Sequence, residues 1–329
     1  MIKQTQYFNS LEQFLSSLLS SHTNLDIILQ NQQLSEKKIS DLSSAFAKCS
    51  QLSNLIIDVQ FNEIDGFLAS CLGSALTSIK SLQYLSLDIC ANNLGEEGAL
   101  ALGSSLARCQ SLQKLIINLS NNKLCEKGAQ AFVFALAKCK SLLHLEIFFR
   151  YNQMGAKGAS NFKNAIEQLT NIQTLNLNLF GNQIGEQGVI DMCSGLQNLA
   201  NLSKLEIYLQ QELIGDKGAQ GMGLALSKCA NLQSLKLYLY GNQITDFGAQ
   251  NLISCLAKSS SIYSLSLDLS KNEISNDEIT NFIAALKNLI NLQCFELNLW
   301  KNYINQKSES KLRSNMLKIN RLVFQNISF

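Results

Sequence analysis

"LQKLIINLSNNKLCEKGAQAFVFALAKC", residues 112–139, changes its rhythm halfway. Leu115, Ile117 and Leu119 occupy every second position, the spacing of a strand with one buried face. Ala129, Phe132, Leu136 and Cys139 then follow at helical spacing, and Gly128 stands where the chain enters the helix. Strand, turn and helix are therefore expected within one short segment.

The segment recurs. From His22 to Arg321 the chain divides into ten consecutive thirty-residue copies with no insertion or deletion, starting at His22, Leu52, Leu82, Leu112, Leu142, Ile172, Leu202, Leu232, Ile262 and Leu292. Their common pattern is LxxLxLxLxxNxIGxxGAxxLxxALxxCxN. Slot 4 is Leu in nine copies and Phe295 in the tenth, and slot 17 is Gly in six. Asparagine fills slot 11 in eight copies, among them Asn62, Asn122 and Asn242. An inward amide there can both donate to and accept from the backbone of adjoining coils. Gln32 and Glu212 are the exceptions. An ionised carboxylate only accepts, so local distortion is expected around Glu212. Such a period marks a solenoid.

On these residues, in segments such as 112–139 and "LQSLKLYLYGNQITDFGAQNLISCLAKS" (232–259), the chain resembles the leucine-rich-repeat family, specifically its ribonuclease-inhibitor-like class. The resemblance covers about nine-tenths of the chain. It implies an α/β horseshoe solenoid with a parallel β-sheet on the concave side and α-helices on the convex side. The usual LxxLxLxxN is here LxxLxLxLxxN, two residues longer, so each strand should gain one apolar alternation and the inner wall should be wider. The expected organisation is an N-terminal amphipathic helical cap over 1–21, the ten-repeat solenoid over 22–321 and a strand-like cap over 322–329. The tenth copy loses the helical consensus in "NQKSESKLRSNMLKINR" (305–321), after which "LVFQNISF" matches an eleventh strand.

If slots 4, 6 and 8 point into the core, slots 3, 5, 7 and 9 face the inner surface. In the fifth to eighth copies those columns collect Phe148, Arg150, Phe180, Tyr208, Tyr238 and Tyr240, with His144, Glu146, Lys204, Glu206 and Lys236 beside them. The same columns are mostly polar in the first four copies, with Asp58 and Asp88 reading as a solvated face. Four adjacent strands span roughly 15–20 Å, the scale of a short peptide or an epitope core. Aromatic and arginine residues within mixed charge are what binding hot spots contain. A protein partner on this surface is the leading expectation.

Other functions find little support. A net charge of +2 gives no reason to expect nucleic acid or an anionic membrane as partner. His22 and His144, the two histidines, stand four repeats apart, and no phosphate-cradling GxxxxGK[ST] stretch occurs. No catalytic residue, metal site or cofactor is expected. Of the ten cysteines, Cys49, Cys109, Cys139 and Cys229 share slot 28 with Leu and Ile, a core position. Without a signal peptide they read as reduced thiols of an intracellular, cytoplasmic protein. The sequence thus points to a non-enzymatic protein–protein interaction module. The alternatives are a GTPase-activating protein, since Ran GTPase activators belong to the same class, and a regulatory or targeting region of a larger enzyme such as a kinase. Self-association through the terminal strand edge is a further expectation.

Overall fold

The computed structural model describes residues 5–275 and 279–329, leaving the first four residues of the expected N-terminal cap outside the described part. Two compact units divide the chain, Met1–Gln153 and Met154–Phe329.

In the first unit the strands are β1 (Gln6–Phe8), β2 (Asn24–Ile28), β3 (Asn54–Asp58), β4 (Tyr84–Asp88), β5 (Lys114–Asn118) and β6 (His144–Phe148). Each is parallel to its sequence neighbours, in chain order. The helices α1 (Leu11–Leu15), α2 (Glu36–Lys48), α3 (Gly66–Thr77), α4 (Gly95–Leu106) and α5 (Cys125–Leu136) alternate with them. The N-terminal segment, read as helical from its sequence, also contains the strand β1. Its Phe8 and Phe14 rings lie 5.6 Å apart, and Phe14 lies 5.7 Å from Phe46, closing that end of the core.

The second unit continues with α6 (Gly155–Ile166), β7 (Thr174–Asn178), α7 (Gly185–Leu196), β8 (Lys204–Tyr208), α8 (Gly215–Leu226) and β9 (Ser234–Tyr238). It ends with α9 (Asp246–Leu256), β10 (Ser264–Asp268), α10 (Ile279–Lys287), β11 (Cys294–Asn298), α11 (Gln306–Met316) and β12 (Phe324–Ser328). Here too neighbouring strands are parallel. Although its consensus lapses, the tenth copy still forms α11. Asn305 caps that helix and Leu312 and Met316 are buried.

The constant period fixes the register. Leu55 pairs with Leu85, Leu85 with Leu115 and Leu115 with Leu145, each thirty residues on. Slots 4, 6 and 8 are buried as their alternation requires, for instance Leu55, Ile57 and Val59. The helices present the opposite wall of the core through Ala99, Leu102 and Leu106 and their equivalents. Neighbouring helices come very close: a Cβ placed on Gly248 would stand 2.8 Å from the Asp216 Cα, so a side chain is excluded there.

The two extra residues per repeat lengthen the ladder rather than the formal strand, which stays at five residues. Val59 N–H donates to the Asp88 carbonyl at 2.8 Å and Phe61 N–H to the Cys90 carbonyl, which carries parallel pairing through slots 8 and 10. At slot 10 the chain then turns through the left-handed region in every copy, from Asn31 (φ 52°) to Lys301 (φ 57°). Only two of the ten residues there are glycines, Gly181 and Gly241.

Slot 11 holds adjoining coils together. Asn62 Nδ2 donates to the Leu29 and Val59 carbonyls at 2.8 and 2.9 Å, while its Oδ1 accepts from Gln32 N–H and Leu34 N–H. Asn242 makes the same set one coil after Glu212. Each unmet backbone group would cost about 1–3 kcal/mol.

Glu212 does not distort the ladder. Its two oxygens accept separately from Asn182 N–H and Ile184 N–H, each at 2.8 Å. The donor it lacks leaves no carbonyl stranded, because Leu179 O is met by Asn182 Nδ2 and Leu209 O by Asn242 Nδ2. Complete burial raises the Glu212 carboxyl above its ordinary range, against the pull of the backbone N–H groups it accepts from.

Candidate functional site

The sheet face opposite the helices carries slots 3, 5, 7 and 9, as the alternation predicts. Nine of its ten slot 7 residues fall into two kinds, and Ile28 of the first copy belongs to neither. Where slot 7 is Asp or Asn, the side chain folds back and accepts from the N–H two residues on. Asp58 caps Gln60, Asp88 caps Cys90, Asn118 caps Ser120, Asn178 caps Phe180, Asp268 caps Ser270 and Asn298 caps Trp300, at 3.0–3.3 Å. Sequence reading took Asp58 and Asp88 for a solvated face. In the structure they are half-buried backbone caps. Where slot 7 is Phe148, Tyr208 or Tyr238, no carbonyl or carboxyl oxygen exists to make that cap.

In the first unit Phe148 closes β6 and is half-buried, while Arg150 is exposed, its guanidinium 5.8 Å from the Tyr151 ring. Both line a cavity of roughly 420 Å³ over the ends of β4, β5 and β6, together with Asp88, Asn118, Ser120 and Tyr151. That volume is within the range of small-ligand sites. Asn118 Nδ2 donates to Asp88 Oδ2 at 3.0 Å. Burial raises the Asp88 carboxyl, its hydrogen bonds to Cys90 and Asn118 oppose the rise, and the Asp58 charge adds to it. Ser120 is buried and its hydroxyl oxygen has no hydrogen-bond partner among the described residues. Sequence reading missed Ser120 and Tyr151: the first occupies a slot 9 that looked merely polar, and the second a turn position that is left-handed in this fold.

A second hollow, of roughly 500 Å³, lies at the other ends of the strands in the same unit. Asn24, Asn54, Tyr84, Lys114 and His144 line it.

The second unit holds the other four expected residues. The Tyr208 and Tyr238 rings stack at 4.2 Å with 7° between their planes, because parallel pairing sets the two residues directly side by side. Tyr208 hydroxyl donates to Glu206 Oε1 at 2.5 Å, and Lys236 Nζ lies 3.7 Å from Glu206 Oε2. Burial, the hydrogen bond to Glu206 and its negative charge hold the Tyr208 phenol far above its ordinary range. Tyr238 is raised too, first by burial and then by the same carboxylate. Lys271 Nζ sits 5.4 Å from the centre of the Tyr240 ring. Phe180, Tyr208, Tyr238 and Tyr240 are all half-buried rather than fully open to water.

His22 is buried, with Nε2 2.7 Å from the Ser17 hydroxyl, and burial lowers its pKa. Among the described residues no group of three His, Cys, Asp or Glu could hold a metal ion. Burial pushes the thiols of Cys49, Cys109 and Cys229 up to about 11, away from the reactive thiolate. Among the described residues no helix is long and apolar enough to cross a membrane.

No family model matches the chain. No curated protein matches it. Among solved structures 93 chains match. The tropomodulin C-terminal domain of Caenorhabditis elegans is 19% identical over 49% of this chain and 93% of that one, with a TM-score of 0.36. A chain of the yeast Rad7–Elc1 complex is 16% identical over 89% of this chain and 77% of that one, with a TM-score of 0.49. The chain's own geometry, a parallel strand, a turn and a helix recurring in step around an asparagine ladder, is that of an α/β leucine-rich-repeat solenoid.

Proposed function

We propose that this chain is a non-enzymatic protein-interaction module of the ribonuclease-inhibitor-like class, binding a protein partner on the open face of its strands. Phe148 and Arg150 form the binding patch of the first unit, and Phe180, Tyr208, Tyr238 and Tyr240 that of the second. The observation that carries this reading is the exchange at slot 7. Six copies keep an Asp or Asn that caps the backbone, whereas Phe148, Tyr208 and Tyr238 give up that cap for rings on the solvent side. The cap given up is worth about 1 kcal/mol, and the Tyr208–Tyr238 stack does no more than offset it, so stability gives no reason for the exchange. Stacked, partly desolvated rings flanked by Glu206 and Lys236 are suited to a protein surface of mixed polarity.

The test follows from the exchange. Tyr208→Asn/Tyr238→Asn supplies the repeat's own cap, so the fold should melt within a few degrees of the unaltered protein. Affinity capture from the native source, run beside the unaltered chain, should lose one protein selectively. Unchanged capture by the doubly substituted chain overturns the assigned surface.

A further inference from the structure

The cavity over β4, β5 and β6 has more polar capacity than its own hydrogen bonds use. Asp88 Oδ1 accepts from Cys90 N–H and Oδ2 from Asn118 Nδ2, leaving each oxygen a lone pair. Asn118 Nδ2 carries a second hydrogen beyond the one given to Asp88. Ser120 lines the cavity with a buried hydroxyl that finds no hydrogen-bond partner among the described residues. A buried polar group without a partner is rare in folded proteins and calls for an explanation. Phe148 and Tyr151 supply apolar wall, and Arg150 supplies a cation beside the Tyr151 ring.

We propose that this cavity receives an aspartate or glutamate side chain presented by a peptide segment of the partner, with the carboxylate at Arg150 and the peptide backbone at Asp88, Asn118 and Ser120. The proposal rests on the reading that the open strand face binds protein. Charge selects the occupant. One guanidinium matches one carboxylate, whereas a phosphate dianion would bring a second negative charge toward Asp88. Spacing selects a peptide. Asp88 and Arg150 belong to β4 and to the extension of β6, two strand intervals or roughly 10 Å apart. A ligand must therefore offer a hydrogen-bond donor and an anion at separated points, as an acidic residue does with its backbone N–H and its side chain. The methylenes between them lie against Phe148 and Tyr151.

The probe is the fluorescently labelled peptide acetyl-Gly-Glu-Gly-Glu-Gly-amide, titrated against the full chain and followed by anisotropy and by amide chemical shifts. Its glutamine counterpart, free glutamate and inorganic phosphate serve as comparisons. The glutamate peptide should bind, shifting the amides of Asn118, Ser120 and Arg150, and the glutamine peptide should bind at least tenfold more weakly. Arg150→Gln should weaken the glutamate peptide about tenfold. Ser120→Ala should weaken it severalfold without lowering the melting temperature, which a merely structural serine would not do. No binding at millimolar peptide, equal binding of the glutamine peptide, or an unaltered affinity in Arg150→Gln overturns the proposal. So does competition by free glutamate or phosphate as strong as that by the peptide. Partner capture lost in Tyr208→Asn/Tyr238→Asn while Arg150→Gln keeps full peptide affinity leaves the interaction surface standing and removes this pocket from it.

Discussion

β4 and β5 share a backbone with β8 and β9 and use its seventh slot for different ends. In the first pair Asp88 and Asn118 turn back onto their own chain and bond to each other across the strands. In the second, Tyr208 and Tyr238 turn outward and stack. Slot 11 beneath them does one job in both pairs: Asn92 and Asn122 in the first, Glu212 and Asn242 in the second, accept N–H groups of the preceding coil. A repeat can therefore change its face without changing its frame, provided the frame's hydrogen bonds do not pass through the face.

That separation can be broken on either side. The largest effect should come from the frame: Asn242→Ala leaves the Glu212 and Ile214 N–H groups without their acceptor and should cost roughly 3 kcal/mol in urea unfolding. A loss as small as that of a face substitution would show that the ladder is dispensable.

Glu212→Asn should stabilise the fold by roughly 1–2 kcal/mol at neutral pH, by removing a buried, unpaired charge. Burial raises the Glu212 carboxyl in the folded state, so the fold keeps the proton through a pH range in which the unfolded chain has lost it. Ionising this group therefore opposes folding. The penalty is absent below the unfolded carboxyl range and grows as pH rises through the elevated value. Melting curves of both proteins should converge toward pH 4 and diverge toward pH 8; parallel curves would remove the charge from the account.

Within the face, Asn298→Ala deletes one cap and should cost about 1 kcal/mol by denaturant midpoint. Tyr238→Asn should come out near zero, since the cap it gains offsets a stacked pair worth about 0.5–1.5 kcal/mol. A large loss there would assign the tyrosine stack to the frame. Another small effect concerns helix entry at slot 14. Gly95, Gly155, Gly185 and Gly215 are left-handed there, whereas Ser35, Asp65, Thr245 and Asn305 cap the helix with a side chain. Cys125 does neither, standing at φ 55° with no side-chain cap. Cys125→Gly should gain roughly 0.5 kcal/mol in thermal melting.

The frame was legible in the sequence because its columns repeat. Leu115, Ile117, Asn122 and Gly128 recur with the period, and burial, register and hydrogen bonding follow it. Slot 10 was not legible. Its left-handed backbone is imposed by the ladder and the turn, and it accepts Phe61, Tyr151 and Lys271 as well as glycine, so no residue type marks it. The caps at slot 7 were hidden for another reason. An aspartate on a strand face looks the same in sequence whether it meets water or its own backbone, and Glu212 looked disruptive because the neighbouring amide donors that meet its carbonyls cannot be counted without the ladder's geometry.

The asparagine ladder also sets the unit in which this chain can change length. Asn242 reaches back to Leu209, and Asn272 reaches back to Leu239, each across 33 positions. Deleting a few residues from one loop displaces the reaching amide relative to its target and unmakes bonds on both sides. Excising a whole copy, such as 232–261, brings equivalent atoms back into apposition. Growth or shrinkage of such a protein is quantised: engineered variants should tolerate gain or loss of complete copies far better than the removal of two or three residues.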